Sequence, residues 1–369
     1  MAYKPGSDRI LFFTAGFLTI FGLLMVFSAS SITAASQHGT EVYFFLRQLM
    51  YAGMGFIALL ICMHIDYHFW LKPKVLGWML FACFATLVLV FTQPEVNGAH
   101  RWLRLGPSIS IQPSEFAKLI LIVFTAWYLH KYDDEINRPA RLLPFLAVIG
   151  FFAALIAIEP DLGQALCLAL IVSIVVVVAG LSWKYAAAAF FMAIPSFYFL
   201  ILQVPYRRAR ISAFLDPFND PMGTSWQITQ SLIAVGSGGV SGRGIGAGVQ
   251  KLYFLPEANS DFIFAVIGEE IGLIGTSLVA IAFLVYFFRG MRIVLRSQDR
   301  FGLYLALGIT LMVAIQGFIN ISMVLAIMPT KGIALPFISQ GGSSLIMNLA
   351  ATGILLNCSQ RIRLTAAAG

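Results

Sequence analysis

Leu255-Pro256-Glu257-Ala258-Asn259-Ser260-Asp261-Phe262-Ile263-Phe264-Ala265 opens an apolar run that continues over residues 262–288. Two carboxylates, Glu257 and Asp261, stand at its mouth, in a chain with only seventeen acidic residues. A helix continuous from residue 257 would place both acids on one face, because side chains four apart lie one above the other. An acid held where water meets lipid costs free energy to desolvate, which makes function one reading of the pair. The other is that acids at a helix N-terminus complement its dipole. Spacing alone does not choose between them.

Working outward, the whole chain has the same character. It is 59% hydrophobic and 11% charged, with mean hydropathy +0.85. A soluble domain carries roughly 25% charged residues. Apolar runs near twenty residues long recur from end to end, as in a polytopic membrane protein. Every backbone polar group in lipid needs an internal partner, so such spans are helical; the short alternating segments of a transmembrane barrel are missing. The first run continues past the length of a signal peptide's apolar region and is expected to be retained. The cysteines, Cys62, Cys83, Cys167 and Cys358, show neither metal-ligand spacing nor a disulfide framework. The net charge of +7 is not a nucleic-acid signature, since no basic cluster is interleaved with aromatics.

The fold class expected is an all-α polytopic membrane protein, one membrane domain over residues 1–369 without internal repeats. Ten helices are expected, near 10–28, 43–63, 75–93, 114–130, 142–158, 163–180, 186–204, 262–288, 303–327 and 342–359. With the N-terminus inside, fourteen of the twenty-four Lys and Arg residues, among them Lys72, Lys74, Arg138, Arg289 and Arg300, fall on the cytoplasmic side. The first outer loop, 29–42, has none. The positive-inside rule therefore puts both termini in the cytoplasm and one large loop, about 205–261, outside. Within that loop, Trp226–Val235 is expected as a short amphipathic helix at the membrane surface.

Several basic residues break the charge rule. Arg101, Arg104, Lys118, Arg207, Arg208, Arg210, Arg243, Lys251 and Lys331 fall on the outer side, where Glu115, Glu159, Asp161, Asp216, Asp220, Glu257 and Asp261 also gather. A shared outward-facing polar site accounts for that better than anchoring. Glu115 and Lys118, three apart on one helical face, are also placed to neutralise each other. Glu159-Pro-Asp-Leu-Gly163 has turn chemistry of its own. Of Glu269 and Glu270, inside a span, at least one is expected to pair with a basic residue within the bundle. Seven glycines lie between Gly236 and Gly248. They lack the preceding strand and following helix of a dinucleotide loop, leaving a hinge or a backbone nest for a diphosphate. The five histidines show no metal spacing, and no Ser-His-Asp arrangement offers a nucleophile.

Beyond these readings lies a resemblance. Gly98-Ala-His-Arg-Trp-Leu103, Gln112-Pro-Ser-Glu-Phe-Ala-Lys118, Glu159-Pro-Asp-Leu-Gly163, Tyr206-Arg-Arg-Ala-Arg-Ile211, Phe214-Leu-Asp-Pro217, Leu255-Pro-Glu257, Asp261-Phe-Ile-Phe-Ala265 and Gly341-Gly-Ser-Ser344 occur in order. Together they resemble the SEDS family (shape, elongation, division and sporulation), polytopic bacterial peptidoglycan polymerases. Pro329-Thr-Lys-Gly332 and the Arg207-Arg208 pair lean toward its division-type branch. Asn259 and Gln340 depart from the histidine and tyrosine common in the family at those positions.

The resemblance implies glycosyl transfer from lipid II outside the cytoplasmic membrane. Asp261 falls at the family's catalytic position, and Arg101, Glu115, Lys118, Asp161, Arg210, Glu257 and Lys331 at its charged cavity positions. It also implies a class B penicillin-binding transpeptidase as partner, along the eighth and ninth spans, and the division machinery. One carboxylate would accept the proton of an attacking sugar hydroxyl. Cations, either the outer basic side chains or a divalent metal such as Mg2+ or Mn2+, would stabilise the departing diphosphate. A lipid II flippase is the alternative, since polar residues and irregular segments in a bundle also suit a transporter. A scaffold that only carries the transpeptidase would leave the buried acids unexplained.

Overall fold

The computed structural model describes residues 7–95, 100–104, 106, 110–252 and 254–368. Lys4, Gly98 and Ala99 lie outside the described residues, as do the side chains of Arg361 and Arg363. Twelve helices are described: α1 (Arg9–His38), α2 (Tyr43–His64), α3 (Pro73–Leu89), α4 (Pro113–Lys131), α5 (Pro139–Ile158) and α6 (Leu162–Val178). They continue with α7 (Trp183–Phe197), α8 (Pro205–Leu215), α9 (Trp226–Gly238), α10 (Ile263–Arg296), α11 (Arg300–Val324) and α12 (Gly342–Ala368). The only strands among the described residues are β1 (Leu103–Arg104) and β2 (Ser110–Ile111), an antiparallel pair just ahead of α4.

Each of the ten apolar segments of the sequence falls on one of these helices, and α8 and α9 fall in the 205–261 stretch. Six of them are long and apolar enough to cross a membrane: α1, α2, α3 with the turn to Thr92, α5, α10 and α11. Helix starts follow local chemistry. Proline occupies the first turn of α3, α4, α5 and α8, where its missing N–H costs nothing. Asp8, Asp161 and Asp299 cap α1, α6 and α11 by accepting the N–H of Leu11, Gln164 and Gly302 at 3.0, 3.3 and 2.7 Å. Helix ends are less tied to hydropathy. The first helix runs ten residues past its apolar run, through a Ser- and Ala-rich turn, until Gly39 takes φ 71°.

The core is formed around α4 and α11, which are buried along most of their length. The pairs α2–α12, α1–α10 and α10–α11 close the bundle around them. The α2–α12 approach is close enough that a Cβ at Gly353 would fall 2.3 Å from the Leu59 carbonyl oxygen. The outer surface is strongly apolar: Phe13, Trp78 and Trp183 are 68%, 73% and 81% exposed. Such a surface is stable in lipid and not in water. The seventh helix buries none of its residues.

Two local expectations are corrected. The helix does not start at residue 257: 254–262 is a chain of turns, with Glu257 at φ 56°, and α10 begins at Ile263. A left-handed residue cannot continue a helix, so the same-face argument for Glu257 and Asp261 fails. The second concerns the short amphipathic helix expected at Trp226–Val235: α9 is present there, but one face is packed into the bundle. It docks on α10, where a Cβ at Gly238 would fall 1.9 Å from the Gly268 carbonyl oxygen. Ser231 Oγ also donates to the Val324 carbonyl of α11 at 2.8 Å.

Candidate active site

A cavity of about 1590 Å³ opens between these elements. Its walls come from the β1–β2 hairpin, the 159–164 turn, α8, the 249–262 turns and the 328–344 segment between α11 and α12. Seven of the eight residues singled out from the sequence line it: Arg101, Glu115, Asp161, Arg210, Glu257, Asp261 and Lys331. The eighth does not. Lys118 is 0% exposed and sits behind Glu115, 2.8 Å from its carboxylate, one turn deeper in α4.

Most of the acids are already engaged. Glu115 accepts from Gln164 Nε2 at 2.8 Å as well as pairing with Lys118. Asp161 accepts from Gln112 Nε2 at 2.9 Å and from Ser114 Oγ at 3.4 Å, and caps α6. Glu257 accepts from Ser260 Oγ at 2.8 Å. Glu159 does not line the cavity; fully buried, with no hydrogen bond to either oxygen, it is pushed up to about 8 by burial and then by Asp161.

Asp261 is held differently. Its backbone carbonyl accepts from Asn320 Nδ2 at 2.8 Å, and the same amide holds the Ile333 carbonyl at 2.8 Å. One α11 side chain thus fixes both the Asp261 turn and the segment facing it. The Asp261 carboxylate receives no hydrogen bond among the described residues. Gly332 leaves it open: a Cβ there would come within 3.1 Å of Oδ2. Burial, then the Glu257 carboxylate, push the Asp261 carboxyl up to about 7, against the pull of Arg210 and Arg101. A carboxyl tuned near neutral pH and facing a cavity is suited to taking up a proton.

The cations have the opposite disposition. Arg101, Arg210 and Lys331 form no ion pair among the described residues. Arg101 donates to the Pro160 carbonyl, and Arg210 donates to the Thr330 carbonyl at 3.2 Å while stacking on Tyr206. Burial lowers the Lys331 ammonium below the usual lysine range. A fourth cation was missed from the sequence. Arg47 of α2 lines the cavity, donates to Ser110 Oγ at 2.9 Å, and leaves its Nε without a partner. Its signal was a lone charge inside an apolar span. No group of three or more His, Cys, Asp or Glu converges among the described residues.

The glycine-rich stretch and the two glutamates of α10 prove to be one assembly. The tenth helix is broken at Gly272, φ 71° and ψ −157°. The freed N–H groups of Leu273 and Ile274 donate to the Gly239 and Val240 carbonyls at 2.9 and 3.2 Å. In return, Arg243 and Gly244 donate to the Glu269 and Glu270 carbonyls at 3.0 and 2.9 Å. Non-helical backbone at this depth is tolerable only with such replacement partners. The amides of Gly242, Arg243, Gly244 and Ala247 are therefore used by the protein and not open to a diphosphate. Glu270 pairs with Lys251 at 2.6 Å, with Ser28 of α1 donating to it, and Glu269 accepts the Val249 N–H at 2.8 Å.

Helical spans, a lipid-compatible exterior and a cavity in which Arg101, Arg210 and Lys331 form no ion pair among the described residues define the class: a multi-pass membrane protein with an anion-receptive internal site. The chain belongs to the FtsW/RodA/SpoVE family of cell cycle proteins, whose model matches residues 8–364. It is 44% identical over 360 residues to the probable peptidoglycan glycosyltransferase FtsW of Geobacter sulfurreducens (strain DL-1 / KN400), covering 96% of each chain. It is 40% identical to stage V sporulation protein E of Bacillus subtilis (strain 168), over 98% of this chain and 99% of that one. Among solved structures it is similar to a chain of a peptidoglycan synthase complex that coordinates polymerization and crosslinking, with TM-score 0.75, 25% identity, and 97% and 99% of the two chains covered. The rod shape determining protein RodA of Thermus thermophilus shares the fold at TM-score 0.67 and 24% identity, with 97% of each chain covered.

Proposed function

We propose that the protein is a peptidoglycan glycosyltransferase that polymerises lipid II on the outer face of the cytoplasmic membrane during septal wall synthesis. The observation that carries the mechanism is the contrast inside the cavity: Asp261 alone presents a carboxylate free of hydrogen bonds, beside cations free of ion pairs. The names of the full-length relatives support the reaction class.

In this reading the C4 hydroxyl of one lipid-linked sugar attacks the anomeric carbon of a second. The new C–O bond forms as the bond to the diphosphate breaks, and the polyprenyl diphosphate leaves with the electron pair. Asp261 takes the hydroxyl proton. Arg47, Arg101, Arg210 and Lys331 face the charge developing on the diphosphate. Phe197 and Ile201, at the end of the lipid-facing α7, give the cavity an apolar wall along which a prenyl chain can lie. Inversion in one displacement needs no nucleophilic side chain.

The same reading makes residues 1–369 one membrane domain in which α1–α7 and α10–α12 are ten spans. Both termini are cytoplasmic and 205–261 faces outward. The lipid-facing sides of α10 and α11 receive a class B penicillin-binding transpeptidase within the division machinery. A flippase would move lipid II without polymer. The deciding experiment is polymerisation of lipid II by the purified chain, alone and with the transpeptidase, against Asp261→Asn. Polymer from wild type and none from the variant is expected; lipid movement with no polymer from wild type would refute the proposal.

A further inference from the structure

The 259–261 turn is docked on the 339–341 segment by backbone groups. Gln340 N–H donates to the Asn259 carbonyl at 2.9 Å, and Ser339 Oγ donates to the Ser260 carbonyl at 2.5 Å. These bonds suffice to hold the two segments together. Yet the side chains of Asn259 and Gln340 also meet, Asn259 Nδ2 donating to Gln340 Oε1 at 2.7 Å. Both residues line the cavity and both are half-buried. The bond uses one donor of Asn259 and one acceptor of Gln340. It leaves Asn259 Oδ1 and Gln340 Nε2 with no other hydrogen bond among the described residues, an acceptor beside a donor.

Three other amides of the cavity are committed elsewhere. Gln48 donates to the Ser339 carbonyl at 3.0 Å, Gln112 to Asp161 at 2.9 Å and Gln164 to Glu115 at 2.8 Å. The charged groups around them suit a diphosphate or a hydroxyl proton. A neutral acceptor–donor pair suits a neutral group that offers the reverse, an N–H next to a C=O, and that is a secondary amide. Asn259 lies two residues before Asp261, within roughly 7 Å of chain. The C2 substituent of a pyranose ring whose C4 hydroxyl meets Asp261 is carried two carbons away on that same ring.

We propose that Asn259 and Gln340 form the specificity-determining subsite for the acetamido group of the acceptor sugar, the amide N–H donating to Asn259 Oδ1 and Gln340 Nε2 donating to its carbonyl. The assignment rests on the polymerase reading given above. It makes the pair read the sugar's identity while Asp261 acts on its hydroxyl.

The test compares lipid II with an analogue bearing a hydroxyl in place of the acetamido group on the terminal sugar, using the full chain in lipid nanodiscs. Both kcat/KM and equilibrium binding of each lipid are measured. Wild type should prefer the natural lipid by about 10–100-fold, the loss expected when two half-buried polar groups are left without partners in the complex. In Asn259→Leu/Gln340→Leu the preference should fall to within about 3-fold, the loss being of the recognition bonds alone. Gln340→Glu keeps the acceptor toward Asn259 and removes the free donor, so it should lose the preference with the clamp intact. The binding ratio reports even from a variant that no longer turns over. Polymer from wild type without discrimination, or discrimination unchanged in both variants, overturns this assignment alone. No polymer from either lipid removes the polymerase reading and the subsite with it.

Discussion

Replacing Asp261 by Asn tests the centre of the mechanism, because the amide keeps the shape and removes the proton acceptor. With the carboxyl at about 7, half of it is ionised at pH 7 and about a tenth at pH 6. The polymerisation rate of the wild type should therefore fall close to tenfold per pH unit below 7 and level off above about 8. In Asp261→Asn it should be lower by about 10²–10⁴ and lose that limb. Stability should move the other way. A carboxyl raised in the folded state favours folding fully below its unfolded pKa and loses that contribution as pH rises through 7. The shift bounds the ionisation cost at about 4 kcal/mol, and water in the cavity reduces it. The variant should thus be at least as heat-stable as wild type at pH 8, with no such advantage below pH 4. Purified protein, lipid II and gel readout of glycan chains, from pH 5 to 9, supply the assay. A flat wild-type profile, or wild-type turnover by Asp261→Asn, would refute the assignment.

Other perturbations separate substrate contact from support. Gly332→Val should place a branch over the Asp261 carboxylate and cut turnover by about 10², with thermal stability changed little; full activity would mean the acid works from another orientation. Arg101→Ala, Arg210→Ala and Lys331→Ala should each lower kcat/KM by about 10²–10³ in folded protein, measured with saturating and limiting lipid II. Lys118→Met should instead cost about 3–5 kcal/mol of stability, since it strands the buried Glu115 charge; a thermally normal variant with only a raised KM would return Lys118 to the substrate site. In spheroplasts, single cysteines at Asn219 or Ser241 should react with an impermeant thiol reagent and one at Ser297 should not, and the reverse pattern would overturn the orientation.

The helices were legible because twenty-residue apolar runs have one solution in lipid, and prolines and aspartates mark their starts. Their ends were not: α1 outlasts its apolar run because Ser and Ala tolerate a helix that only Gly39 stops. The break in α10 was illegible too. Gly272 looks like any small residue for close packing until Gly239 and Val240, more than thirty positions earlier, are found supplying its neighbours' hydrogen bonds. At the site, the orientation rule gathered the outer charges, and the family resemblance singled out from them seven residues that line the cavity. It misassigned Lys118, because an i, i+3 pair tells that two charges meet but not which of them faces the cavity. It overlooked Arg47, which breaks no loop count because it lies within a span.

The distribution of unused bonding capacity gives the cavity its direction of chemistry. Had all its acids been free, an incoming diphosphate would meet repulsion at every wall. Glu115 is instead neutralised by Lys118 and hydrogen-bonded by Gln164, and Asp161 is tied to Gln112, Ser114 and the start of α6. Their charges orient neighbours and leave the surrounding guanidinium and ammonium groups unquenched. Four cations then face the space in which the proposed reaction puts the diphosphate, and three of them, Arg47, Arg101 and Arg210, are held by neutral partners that fix their place without cancelling their charge. Asp261 is the exception on the acidic side: anchored through its backbone to Asn320, unbonded at its carboxylate, and kept uncovered by Gly332. An acid so placed is poorly explained as a structural partner, since nothing described depends on its charge. It is well explained as a base whose partner arrives with the substrate.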